Sequence, residues 1–113
     1  MGLDNYWKKN SGETAHIDEV DGVCGGMLSD NGQSSFRGKV YADLVEQATG
    51  VNLYDEEIAN DVVKKMADDL ENYDLKSYSN SGHGYPIDKI EFESLKKMFR
   101  LHADAGHYLI SWW

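Results

Sequence analysis

Residues 87–113 read I-D-K-I-E-F-E-S-L-K-K-M-F-R-L-H-A-D-A-G-H-Y-L-I-S-W-W, and this stretch decides the fold class. Asp88 is placed to cap a helix, and Glu91, three residues on, completes a capping box. Ile87 and Phe92 take the two positions of a hydrophobic staple. Leu95, Phe99 and His102 then recur at helical spacing with Met98 beside them, so one face is apolar. Gly106 supplies a left-handed stop. Beyond it, residues 108–113 read as a closing strand.

Two further helices precede this one. The first is expected over 36–49, capped by Ser34 or Ser35 and ended by Gly50. Phe36, Val40, Leu44 and Ala48 line one face, with Tyr41 and Val45 alongside. The second is expected to follow Asp55 as its N-cap, with Glu56 and Glu57 suiting the helix dipole. Its inner row is Ile58, Val62, Met66 and Leu70. At the start of the chain, residues 3–8 and 14–20 look extended around Asn10-Ser11-Gly12, the chemistry of a turn. Strands at both ends with helices between predict one α+β domain over 1–113. In it, three amphipathic helices pack on a small antiparallel sheet formed by the N- and C-terminal strands.

Composition narrows the function classes. The 113 residues carry 20 acids against 11 Lys and Arg, a net charge of −9. Such a polyanion repels phosphates, so direct nucleic-acid binding and docking on an anionic membrane are not expected. No run reaches the ~20 apolar residues that cross a bilayer. Residues 1–7 lack the basic start and apolar stretch of a signal peptide. The single cysteine, Cys24, allows no internal disulfide, and the cytoplasm is the expected compartment.

Several clusters invite chemistry. Residues 32–39, G-Q-S-S-F-R-G-K, look like a phosphate loop but break its rule, with five residues between the glycines and Val40 after the lysine. Ser34, Ser35, Arg37 and Lys39 nonetheless gather at a helix N-terminus, where free N–H groups favour an anion. Arg37 falls on the side of the apolar row, and its plainer role is pairing with a nearby carboxylate. His83 and Tyr85 sit in a Gly-rich loop at 79–86 that could touch the same ligand. His102, Asp104 and His107 have metal-capable side chains, but their spacing puts them on different helix faces. No metal or other cofactor is expected, and His102 reads as a core histidine. Cys24 would be a nucleophile only if His16 or His83 approached it; otherwise it is a small hydrophobe.

The most lopsided feature is charge. Between positions 55 and 74, eight acids face only Lys64 and Lys65, a local balance of −6. Glu57, Asp61, Asp68 and Glu71 are expected on the outer face of the second helix, turned toward a basic partner. Ordinary i,i+3 and i,i+4 pairing with Lys64 and Lys65 is the plainer account. The leading expectation is thus a non-catalytic inhibitor or immunity-type binder of a basic protein. An anion-binding module on the Gly-rich loop comes second, and an enzyme with a Cys24 nucleophile third. No signal for oligomeric state is present.

Overall fold

The computed structural model describes residues 3–25, 32–78 and 87–112. Among them are four strands and three helices, in the order β1 (Asp4–Lys8), β2 (Ser35–Phe36), α1 (Gly38–Thr49), β3 (Glu57–Ile58), α2 (Asn60–Glu71), α3 (Lys89–Asp104) and β4 (Tyr108–Trp112). The strands form one antiparallel sheet in the order β2-β1-β4-β3. The two longest strands, β1 and β4, sit at its centre, paired from Asp4↔Trp112 to Lys8↔Tyr108. The α+β expectation holds, and terminal strands do form the centre of the sheet. None of the described helices is long and apolar enough to cross a membrane.

The third helix follows its local grammar. Asp88 Oδ1 accepts the Glu91 amide at 2.8 Å, and Gly106 takes φ 84° two residues after the last helical residue. Only half of the capping box forms, because the Glu91 carboxylate accepts the Tyr41 hydroxyl instead of reaching back. Phe92, Leu95, Met98, Phe99 and His102 are all buried.

Three expectations are corrected. The first helix begins at Gly38, because Ser35 and Phe36 pair with Tyr6 and Asn5 as strand β2. Ser34 and Ser35 therefore do not cap it, and the N-cap residue is Arg37, with no side-chain cap bond. Gly38 is needed at this junction, since a Cβ there would lie 1.7 Å from Asn5 Oδ1. The second helix begins at Asn60, not after Asp55, because Glu57 and Ile58 pair with Ile110 and Leu109 as an edge strand. Glu56 and Glu57 thus lie outside its first turn. Its buried residues are Val63, Met66, Ala67 and Leu70, while Val62 is 37% exposed and Ile58 is buried from the strand instead. Lastly, residues 14–20 form no strand: only Thr14 bridges Lys8, and β2 occupies that side of β1.

The core is aromatic at its centre. Trp7 stacks on His102 with ring centroids 4.2 Å apart and meets Phe99 edge-on at 5.4 Å. Leu44, Met66, Leu95 and Phe99 are buried around it.

Candidate functional site

Strand alternation sorts the sheet into two faces. Asn5, Trp7, Phe36, Ile58 and Leu109 are buried on the helical side. Tyr6, Ile110 and Glu57 are cross-strand neighbours on the other side, with Asp4↔Trp112 and Lys8↔Tyr108 as flanking rows. There Trp112 is 62% exposed and Glu57 is exposed, while Tyr6, Tyr108 and Ile110 are half-buried. A concavity of about 510 Å³ is lined by Tyr6, Glu56, Glu57, Ile110, Ser111 and Trp112. A second, of about 490 Å³, wraps the sheet edge at Tyr54, Asp55, Glu56, Ser111 and Trp112. The edge is tied to the loop before β3: Ser111 Oγ donates to the Asp55 carbonyl at 2.7 Å and the Ser111 amide to the Glu56 carbonyl at 3.2 Å.

The β3 edge of this face is acidic. Asp55, Glu56 and Glu57 are exposed, and no described cation pairs with them. Lys8 lies over the Tyr6 ring at 5.4 Å, so the face already holds one ammonium against an aromatic surface. Sequence reading missed Tyr6, Tyr54, Ile110 and Trp112 as surface residues. The available signal was the alternation of residues 4–8 and 108–112, which assigns one face only after pairing partners are known.

The acids expected on one helix face are separated. Glu57 belongs to β3, and Asp61 is exposed in the first turn of α2. Asp68 and Glu71 bind Arg100 of α3, joined by Asp104. Glu71 meets Arg100 Nη2 at 2.8 Å, and hydrogen bonding from that guanidinium holds its carboxyl below the usual range. The same carboxylates push Arg100 further up. Asp68 thus pairs across helices rather than with Lys64 or Lys65 along its own.

At the start of α1 the anion site is occupied by backbone. The Arg37 and Lys39 amides donate to the Cys24 and Leu3 carbonyls at 2.9 and 3.1 Å. Ser34 and Ser35 are buried, and the Ser34 hydroxyl meets His16 Nδ1 at 2.7 Å. Arg37 does not point into the fold; it is half-exposed and pairs with Asp4 at 3.3 Å, and Lys39 is exposed. His83 and Tyr85 lie outside the described residues.

Cys24 is exposed rather than packed, and its amide donates to the Tyr41 hydroxyl at 2.7 Å. Both ring nitrogens of His16 are taken, by Ser34 and Asp18, so it is not placed as a base for the thiol. Burial first, then the Glu91 carboxylate, pushes the Tyr41 phenol far up, so it stays protonated.

The three metal-capable residues part company. Asp104 turns to Arg100, while His102 and His107 meet Nδ1 to Nδ1 at 2.8 Å. His102 Nε2 lies 3.1 Å from the Gly32 carbonyl, which can only accept, so that nitrogen carries the proton. His102 Nδ1 is then the acceptor and His107 Nδ1–H the donor. His102 is a core histidine, as expected, and among the described residues no three ligands converge.

No family model matches the chain, and no curated protein or solved structure matches it significantly.

Proposed function

We propose that the protein is a non-catalytic interaction module that docks a basic protein segment on the open face of its sheet. One observation carries the reading: Tyr6, Ile110 and Trp112 stand together on a solvent-facing sheet surface edged by unpaired Asp55, Glu56 and Glu57. Tryptophan and tyrosine are the residues that most often anchor interfaces. Beside carboxylates they suit guanidinium and ammonium groups, which stack on rings while pairing with acids. Asp68 and Glu71, held by Arg100, add to the field rather than the contact. The net charge of −9 speeds encounter with a cation-rich partner and disfavours nucleic acid.

The test is titration with an arginine-rich peptide, followed by amide chemical shifts. The reading expects shifts centred on Tyr6, Glu57, Ile110 and Trp112, weakened by salt. Shifts spread over every acidic surface, or none at all, would overturn it.

A further inference from the structure

A second feature departs from the acidic character of the chain. It lies on the helical layer, away from the strands just described. Along α3, Lys89, Phe92, Glu93 and Lys96 fall at spacings of three and four and form one stripe. The segment after α2, residues 73–76, runs opposite. Together they enclose a groove of about 410 Å³.

The floor of this groove is apolar. The rings of Tyr73 and Phe92 meet edge-to-face at 6.4 Å and 75°, and Leu75 continues the surface. The rim is cationic. Lys76, Lys89 and Lys96 all line it, three of the 11 basic residues of a chain carrying 20 acids. Two carboxylates also line the groove, Glu93 in an ion pair and Asp74 bonded to a backbone amide. Glu93 accepts Lys96 Nζ at 2.8 Å, and Asp74 Oδ1 accepts the Lys76 amide at 3.0 Å. The ammonium groups of Lys76 and Lys89 have no ion-pair partner among the described residues. Lys96 is different: its side chain is only 19% exposed, and its ammonium lies 4.9 Å from the Phe92 ring centroid. That ammonium is held between the Phe92 ring and the Glu93 carboxylate, which leaves Lys76 and Lys89 as the cations open to a ligand at this rim.

We infer that this groove binds a small aromatic carboxylate, its ring on Tyr73, Leu75 and Phe92 and its anionic group between Lys76 and Lys89. The site does not depend on the sheet face or on a basic partner. Its size suits a one- or two-ring ligand, and its sign suits an anion where the rest of the chain repels one.

The probe is 2-naphthoate, titrated into the full chain and followed by amide chemical shifts, with 2-naphthylmethylammonium as the cationic counterpart. Saturable shifts at residues 73–76 and 89–96 with the naphthoate, and none with the cation, are expected. Lys76→Glu with Lys89→Glu should weaken naphthoate about tenfold, as two exposed charge contacts are reversed. Both lysines are exposed, so the variant keeps its fold, which its unperturbed spectrum checks. No saturable shift at millimolar naphthoate would overturn the inference. So would equal binding of the two probes, or a double variant that binds naphthoate like the wild type.

Discussion

Gly38→Ala tests the junction where strand β2 turns into helix α1. The added methyl would lie 1.7 Å from Asn5 Oδ1 and 2.9 Å from Asn5 Cγ and Leu3 Cδ2. Leu3 can yield a flexible methyl, but Asn5 cannot move freely. It is fully buried, and its Nδ2 donates to the Leu53 carbonyl at 3.0 Å, tying the central strand to the loop before β3. Overpacking costs about 1–3 kcal/mol. Displacing Asn5 leaves the Leu53 carbonyl unsatisfied, which costs about 1–3 kcal/mol more. The better helix propensity of alanine returns at most about 1 kcal/mol. A net loss of about 1–6 kcal/mol follows from these opposing effects. Urea denaturation of the single variants and of Asn5→Ala/Gly38→Ala completes a double-mutant cycle. Removing the Asn5 side chain relieves the clash, so the two losses should couple by about 1–3 kcal/mol rather than add. A Gly38→Ala loss below about 0.5 kcal/mol, or strict additivity, would refute the packing described at this junction.

Other expectations rest on single side chains. Tyr41→Phe removes the hydroxyl that accepts from Cys24 and donates to Glu91, and should cost about 1–3 kcal/mol by chemical denaturation. Leu95→Ala, at a fully buried position, should cost about 2–5 kcal/mol, and a loss under about 0.5 kcal/mol would mean that α3 presents another face to the core. Burial, and then the charge of Lys9, hold His107 below its usual 6.5, with His102 as its hydrogen-bond partner. The unfolded chain therefore takes up a proton as pH falls through 6.5, while the folded protein resists it. Stability should drop as pH falls below 6.5 and level off once the folded histidine also titrates. His107→Gln should shrink that drop in melts across the pH range. A drop of unchanged size would assign it to other groups.

How much of this could be read from sequence depends on where the stabilising contacts lie. The cap at Asp88, the apolar stripe through Phe99 and the stop at Gly106 are interactions within one helix and its ends, so local pattern reports them. Strands β2 and β3 are two residues each and have no periodicity of their own. They exist because Phe36 and Ile58 find partners in Asn5 and Leu109, distant in sequence. Phe36 and Ile58 also continue the helical spacing of the segments that follow, so the periodicity runs two residues too far into each strand. The candidate face was hidden for the same reason. Tyr6 and Trp112 become neighbours on one surface only through the β1–β4 register, and Arg100 draws Asp68 and Glu71 out of the acidic row from another helix. The His102–His107 contact depends on Gly106 reversing the chain, a signal that was present, though its geometric consequence was not.

Trp112 and the acids beside it are the proposed docking surface. The most direct measurement is the Kd of an arginine-rich peptide for wild type, Trp112→Ala and Glu57→Lys at low and high salt. Trp112 is 62% exposed and Glu57 is exposed, so neither change should unfold the protein. Loss of the aromatic anchor should weaken binding about 5–30-fold at both salt concentrations, as interface truncations worth ~1–2 kcal/mol do. Glu57→Lys should weaken binding chiefly at low salt and flatten its salt dependence. Wild-type affinity in both variants would contradict the account.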